Sequence, residues 1–110
     1  MSKYHSKRTE VDGITFDSKK ESARFAELRM LEKTGNITDL VLQPKFLLCD
    51  KVKWEGVTLR SRSYKADFQY FDPWLEATIV EDVKGYRTDL YKLKRSLFLN
   101  LYPQYIFRET

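Results

Sequence analysis

Apolar and polar side chains alternate along two stretches of the chain, and this alternation predicts two β-strands. Residues 64–71, "YKADFQYF", and residues 77–84, "ATIVEDVK", both follow a two-residue period. The first strand is predicted to place four alternate residues on one face: Tyr64, Ala66, Phe68 and Tyr70. Asp67 then lies in the middle of that strand. Glu81 falls on the opposite face of the second strand from Asp82. We expect its side chain either to be exposed to solvent or to lie behind the residues that form a functional site.

Two other stretches have the composition and spacing of helices. Residues 18–33 are rich in helix formers and are followed by Gly35, a typical residue just after a helix C-terminus. Residues 88–101 carry leucines at helical spacing and stop before Pro103. The leucines are Leu90, Leu93, Leu97 and Leu101. This spacing is typical of the apolar stripe of an amphipathic helix.

The rest of the chain is predicted to be short strands and turns. Residues 11–16 form a β segment with a glycine turn, and residues 40–49 form a β run in which Pro44 favours a sheet edge or a bulge. Residues 52–60 fold back at Glu55 and Gly56, and residues 104–109 supply a last strand. The order of helix, strands, helix and strand predicts a mixed α/β (α+β) sheet flanked by helices.

Length, charge and cysteine content limit the classes of protein to which this chain can belong. A chain of 110 residues with 42% hydrophobic content is expected to form a single domain, residues 1–110, around one core. One cysteine and one histidine exclude a disulfide framework and a zinc site built from these residues, so any metal is expected to have oxygen ligands. The net charge of +4 is compatible with a polyanionic partner. We expect a complete cytoplasmic protein with no membrane partner, since the sequence has no long apolar run and no signal peptide.

The two predicted strands bring two carboxylates together. If residues 73–76 form the loop between the strands, the antiparallel register places Asp67 opposite Asp82. Like charges in that position destabilise a sheet unless a cation lies between them. Lys84 is one candidate, and a divalent ion such as Mg²⁺, which binds one or two carboxylates and several waters, is the other.

These residues resemble a known nuclease signature. Asp67, a gap of fourteen residues and then Asp82-Val83-Lys84 are similar to the motif of the PD-(D/E)XK superfamily, with Ala66 where a proline is often found. More narrowly, "FDSKKESARFAEL", "QPKF", "YKADFQYFD" and "VEDVKGYRTDLYKLKR" resemble a family of small bacteriophage-encoded proteins likened to Holliday-junction resolvases. The resemblance covers nearly the whole chain. It implies a restriction-endonuclease-like core and Mg²⁺-dependent hydrolysis of DNA, with Mn²⁺ able to substitute.

The resemblance also implies roles for individual residues. Asp67, Asp82 and the carbonyl of Val83 are expected to hold the metal, and Lys84 either orients the nucleophile or acts as a base. Glu21 on the first helix has two interpretations. It joins the metal site as in related nucleases, or it is only the third residue after Ser18 in a capping box.

Basic residues near this site are candidate DNA contacts. Those on the folded part of the chain are Lys65, Arg87, Lys92, Lys94 and Arg95, and those in the basic segment of residues 1–10 are Lys3, Lys7 and Arg8. Alternatives stay open for both groups: Lys94 lies within the leucine stripe and can simply extend from it, and residues 1–10 form either a flexible DNA-binding arm or a solubilising tail.

The resemblance therefore implies a metal-dependent DNA endonuclease, selective for branched DNA such as Holliday junctions, in phage DNA recombination or processing. Cutting both strands of a symmetric substrate requires two sites, so we expect a homodimer. The alternatives are a sequence-specific or nicking endonuclease of the same fold, and a nucleic-acid-binding module without catalysis.

Overall fold

The computed structural model describes residues 8–110. Its elements, in chain order, are β1 (Thr9–Val11), β2 (Ile14–Phe16), α1 (Lys19–Lys33), β3 (Thr38–Leu42), β4 (Lys45–Cys49), β5 (Val52–Trp54), β6 (Val57–Leu59), β7 (Arg62–Lys65), β8 (Phe68–Asp72), β9 (Ala77–Asp82), α2 (Asp89–Leu101) and β10 (Ile106–Glu109). The predicted DNA contacts at Lys3 and Lys7 lie outside the described residues.

A mixed sheet forms the centre of the fold. Its strand order is β10-β9-β8-β3, with β10 parallel to β9 and the other pairs antiparallel. The register of β8 and β9 runs from Asp72 opposite Ala77 to Phe68 opposite Glu81. The prediction of a mixed sheet with two helices is confirmed, and so are the loop 73–76 and its register. Within residues 8–110, neither helix is long and apolar enough to cross a membrane.

Both helices have a capping residue at their N-terminus. Ser18 accepts a hydrogen bond from the backbone N–H of Glu21 at 3.1 Å, and Thr88 accepts one from Tyr91 at 3.0 Å. Gly35, with φ of +80°, follows α1 and takes the left-handed conformation that commonly ends a helix. Both helix predictions are confirmed.

A bend divides one long antiparallel pair of segments into two shorter strand pairs, β3 with β8 and β4 with β7. Pro44 has no N–H to donate, and β3 ends just before it while β4 starts just after it. In the segment paired with these strands, Ala66 and Asp67 separate β7 from β8. The two breaks face each other: Gln43 N–H donates to the Asp67 carbonyl at 2.9 Å, and Ala66 N–H donates to the Pro44 carbonyl at 3.0 Å. The single strand predicted over residues 64–71 is therefore wrong, and Asp67 lies at a break rather than mid-strand.

Because of the bend, the strands on its two sides pack into different hydrophobic cores. One core, on the α1 side, contains Phe16, Phe25, Leu28, Ile37, Phe68, Tyr70 and Ile79. The other, on the α2 side, contains Phe46, Leu48, Tyr64, Ala66, Val80, Tyr91 and Phe98. Ile79 and Val80 are neighbours in β9, so these cores lie on opposite faces of the sheet. The prediction of one common face for residues 64, 66, 68 and 70 is wrong, because the break reverses the alternation.

The buried face of α2 is aromatic. Tyr91 and Phe98 are its buried residues, and the Phe98 ring contacts those of Phe46 and Tyr64 at centroid distances of 4.8 and 5.4 Å. The leucine stripe instead faces outwards: Leu90, Leu93, Leu97 and Leu101 are 61%, 57%, 39% and 51% exposed. Aromatic rings bury more surface than leucine side chains, so the aromatic face of α2 is the one that packs against the strands.

Candidate active site

The candidate site lies where β8 and β9 end beside the bend. Asp67 precedes β8, Asp82 is the last residue of β9, and Lys84 follows two positions later. The register that pairs Phe68 with Glu81 brings Asp67 next to Asp82, with the two carboxylates in hydrogen-bonding reach. The structure thus brings together the two acids and the lysine of the predicted motif.

Asp82 is almost fully buried, with 1% of its surface exposed. Its Oδ2 atom accepts a hydrogen bond from the hydroxyl of Tyr64. Its Oδ1 atom is 3.1 Å from Lys84 Nζ, but it has no hydrogen-bond partner among the described residues. Burial and the neighbouring charge of Asp82 raise the pKa of Tyr64, so the phenol stays a donor. One oxygen of Asp82 is therefore hydrogen-bonded, and the other is ion-paired with Lys84 but accepts no hydrogen bond.

Asp67 is held by the backbone and destabilised by its neighbour. Its Oδ2 atom accepts the N–H of Val83 at 2.7 Å. Burial, and then the adjacent Asp82, raise the pKa of Asp67 to about 8 even though the Val83 hydrogen bond acts in the opposite direction. Burial and the adjacent Asp82 therefore favour the protonated form of the Asp67 carboxyl as long as no divalent cation is bound.

Glu21 takes part both in the cap and in the acidic cluster. Its backbone N–H is capped by Ser18, while its buried carboxylate is in hydrogen-bonding reach of Asp67. Burial, followed by the charges of Asp17 and Asp82, raises the pKa of Glu21. The two interpretations of Glu21 therefore do not exclude each other, because different atoms of the residue serve each role.

The acidic pair fits a small divalent cation. Among residues 8–110, no three Asp, Glu, His or Cys side chains have their donor atoms arranged to hold one ion, so a third ligand from Glu21 is not shown. The pair itself suffices for Mg²⁺, which needs only one or two carboxylates beside its waters. A divalent cation at this position would offset the repulsion that raises the pKa of Asp67, and it would give a second partner to Asp82 Oδ1, which accepts no hydrogen bond.

Lys84 is fixed on several sides. Its ammonium lies 4.4 Å from the centre of the Tyr91 ring, and the Tyr91 hydroxyl donates to Glu109 at 2.5 Å. Its backbone N–H donates to the Thr110 carbonyl at 3.1 Å, and its own carbonyl accepts from Lys20 Nζ at the same distance. Lys84 is therefore held in place where the chain leaves the sheet, just before Gly85.

Two tyrosines of this site were missed from the sequence. Tyr64 was assigned to the same face as Phe68, and only the bend shows that it instead turns towards Asp82. Tyr91 was hidden by the stronger leucine periodicity of α2. A buried tyrosine needs a polar partner for its hydroxyl, which is a reason to expect one near a buried carboxylate, but the sequence gives no pairing.

Glu81 is buried, and the prediction of solvent exposure for it is wrong. Its side chain is 0% exposed and accepts hydrogen bonds from Arg24 Nε at 2.5 Å, Arg24 Nη2 at 2.9 Å, Tyr70 at 2.6 Å and Thr110 at 3.1 Å. Burial alone would raise its pKa, but the bonds from Arg24 and Tyr70 hold the pKa of Glu81 below its ordinary value. None of these three partners is a candidate site residue, so the predicted position behind the site stays a prediction.

The predicted DNA-binding residues differ in their surroundings. Four are exposed: Arg8, Lys65, Arg87 and Lys92. Lys94 and Arg95 are half-buried. Glu109 pairs with Arg95 at 2.9 Å and with Arg87 at 3.4 Å, so these two guanidinium groups already have a carboxylate partner. Their contact with DNA stays a prediction.

The chain belongs to a family described as proteins of unknown function (DUF1064), whose model matches residues 1–109. No curated protein and no solved structure matches the chain. The comparisons therefore supply a family but no activity, and a functional argument depends on the geometry around Asp67, Asp82 and Lys84.

Proposed function

We propose that this member of the DUF1064 family is a Mg²⁺-dependent DNA endonuclease with a restriction-endonuclease-like core. It acts on branched DNA of the Holliday-junction type, as a homodimer, in phage DNA recombination or processing in the host cytoplasm. Mn²⁺ replaces Mg²⁺. The observation that carries the proposal is the acidic pair Asp67 and Asp82, with Lys84 Nζ 3.1 Å from Asp82.

The donor set suits hydrolysis of a phosphodiester. Asp67 and Asp82 would hold the Mg²⁺, with the Val83 carbonyl and Glu21 as further candidate ligands. When bound, the ion polarises the phosphate and lowers the pKa of a water molecule. Tyr64 keeps Asp82 in place, and the Val83 N–H keeps Asp67 in place. Lys84 brings a positive charge to the position where negative charge develops in the transition state, and either orients the nucleophile or accepts its proton.

The acidic pair also distinguishes a nuclease from a binding module. Two carboxylates next to each other repel a phosphate backbone and weaken binding unless a cation neutralises them. A protein that only binds DNA gains nothing from holding Asp67 and Asp82 in this arrangement. The exposed basic residues Lys65, Arg87 and Lys92 are candidates for attracting the phosphate backbone.

The test is cleavage of labelled DNA. Linear duplex, single-stranded and four-way-junction substrates are incubated with Mg²⁺, Mn²⁺ or EDTA and with wild type, Asp82→Asn or Lys84→Ala. Asp50→Asn and Lys33→Ala, both exposed and distant from the site in sequence, are the matched controls. We expect metal-dependent cutting of the junction, a loss of at least roughly 100-fold in the two site variants, and no loss in the controls.

The result separates the alternatives. Equal cutting of linear duplex and junction would favour a general, sequence-specific or nicking enzyme. Junction binding without cutting under any metal would refute the catalytic proposal in favour of the binding module.

A further inference from the structure

The ammonium group of Lys84 has two neighbours of different kinds. Its Nζ atom lies 3.1 Å from Asp82 Oδ1 and 4.4 Å from the centre of the Tyr91 ring. A lysine side chain has a flexible four-carbon stem, so one ion pair leaves its charged end several positions. The face of an aromatic ring attracts a cation within about 6 Å, and more strongly where water is excluded. The Lys84 side chain is only 27% exposed, so the ring is a second contact that limits where the ammonium lies.

Tyr91 is itself held by several contacts. Its hydroxyl donates to Glu109 Oε2 at 2.5 Å, and its backbone N–H donates to Thr88 Oγ1 at 3.0 Å. The centres of the Tyr64 and Tyr91 rings are 6.3 Å apart, and the Tyr64 hydroxyl donates to Asp82. Burial, and then the bond to Glu109, raise the pKa of the Tyr91 hydroxyl, so this hydroxyl stays a donor. The ring that faces Lys84 therefore has a defined orientation.

Glu109 is anchored to the same part of the sheet as Asp82. In the parallel pair of β9 and β10, Glu109 lies opposite Asp82, so the two residues share one face of the sheet. The Glu109 carboxylate also pairs with Arg95 at 2.9 Å. Tyr91 links this carboxylate to the Lys84 ammonium. The position of the ammonium is therefore tied to the strand that carries Asp82.

We propose that Tyr91 is a positioning residue, whose ring keeps the Lys84 ammonium beside Asp82. Glu109 fixes the angle of that ring through the hydroxyl. The effect on cleavage rests on the proposed function, because it requires that Lys84 takes part in hydrolysis. The placement of the ammonium does not rest on that function, and it can be measured without DNA or metal.

The first test measures the placement of Lys84 by NMR. Protons above the face of an aromatic ring resonate upfield, so the ε-methylene protons of Lys84 should lie upfield of those of the exposed Lys33. Spectra are recorded on the full chain in EDTA, and the signal is assigned by its loss in Lys84→Ala. We expect the upfield shift to disappear in Tyr91→Leu, which removes the ring. It should persist, reduced, in Tyr91→Phe, which loses only the bond to Glu109.

The matched control is Tyr102→Leu. The Tyr102 ring lies at the other end of α2 and packs on Phe46 and Phe98, each at a centroid distance of 5.3 Å. Its removal takes an equal ring from the same core, so an effect of general loosening would appear in both variants. We expect this control to leave the Lys84 signal unchanged.

A second variant tests the orientation of the ring without removing it. Glu109→Ala leaves the Tyr91 ring in place and should reduce the upfield shift of Lys84. Circular dichroism melting of each variant checks that folding is intact. If Tyr91→Leu does not fold, Glu109→Ala decides the test.

The second test measures cleavage of junction DNA with Mg²⁺. Tyr91→Leu should lower kcat about tenfold or more and keep KM within about twofold, because a displaced ammonium affects the transition state rather than DNA binding. Tyr91→Phe should recover most of the lost kcat, since it keeps the ring. Tyr102→Leu should keep both constants within about twofold of the wild type.

The two tests separate the possible failures. A wild-type Lys84 signal without an upfield shift, or a shift unchanged in the folded variants of Tyr91→Leu and Glu109→Ala, would overturn the proposed placement. A lost shift with unchanged kcat would refute the role of Tyr91 in cleavage. A wild type that cuts no DNA with any metal would refute the nuclease instead, and the NMR result would still decide whether Tyr91 places Lys84.

Discussion

Replacing Arg24 with methionine should destabilise the protein strongly, because it leaves the buried carboxylate of Glu81 without its cation. Glu81 is 0% exposed in the central strand β9, and Arg24 lies on α1. Two of the four hydrogen bonds to Glu81 come from this arginine, at 2.5 and 2.9 Å. The pair therefore ties the helix that carries Glu21 to the strand that carries Asp82.

The magnitude follows from how much of the pair is desolvated. Breaking a buried ion pair by removing one partner costs about 3 to 5 kcal/mol. The Arg24 side chain is 20% exposed, and Tyr70 and Thr110 still donate to Glu81, so the lower end, about 3 kcal/mol, applies. At about 4 °C per kcal/mol, the melting temperature should fall by roughly 12 °C.

The assay is urea unfolding at pH 7 of the wild type, Arg24→Met, Glu81→Leu and the double variant. Because the double variant removes the orphaned charge, it should recover much of the lost stability. Arg29→Met is the control on the same helix. Its pairs with Glu32 at 3.4 Å and Asp12 at 3.8 Å are partly exposed, so a loss of at most about 1 kcal/mol is expected.

The pH dependence gives an independent check. The pKa of Glu81 is lowered in the folded state, so its pairing adds stability above its ordinary pKa of 4.5, and this stability is lost as the pH falls through the folded value. Arg24→Met should therefore flatten the decline of stability in acid. A cost below about 1 kcal/mol at pH 7, or a double variant no more stable than Arg24→Met, would refute the reasoning.

Two further predictions concern the acidic site. Asp67 has an ordinary pKa of 3.8 and a folded pKa of about 8, so the folded state binds the extra proton between these values. Wild-type stability in EDTA should therefore fall as the pH rises from about 4 to about 8. Asp67→Asn should reduce this slope in melting curves, and equal slopes would contradict it. Tyr64→Phe removes the hydrogen bond to buried Asp82 and should cost about 1.5 to 3 kcal/mol in urea unfolding, whereas Tyr102→Phe, which loses an exposed bond to a carbonyl, should cost about 1 kcal/mol or less. Equal losses would contradict the special role of Tyr64.

Local signals in the sequence predicted the helices and one strand register well. Ser18 and Gly35 have short-range roles at the ends of α1, and those roles depend on a few neighbouring residues only. The register of β8 and β9 follows from a four-residue loop, which is also local. These features could be predicted because little of the rest of the chain affects them.

Which face of an element is buried could not be predicted in the same way. The leucine stripe of α2 has the better periodicity, yet Tyr91 and Phe98 are buried because Phe46 and Tyr64 from distant strands meet them. Glu81 was expected outside or behind the site, and it is buried because Arg24, 57 residues away, reaches it. Such outcomes depend on long-range partners that a pattern of single positions does not contain.

The bend at Pro44 connects these successes and failures to the site. An unbroken strand over residues 64–71 would keep Tyr64 on the same face as Phe68, away from Asp82. Because Pro44 cannot donate a hydrogen bond, the ladder breaks opposite Ala66 and Asp67, and the alternation reverses there. The Asp67 carboxylate is then bound by the Val83 N–H, and Tyr64 turns to Asp82. The β8–β9 register thus brings the two acids together, and the break at Pro44 accounts for the position of the Tyr64 donor beside them.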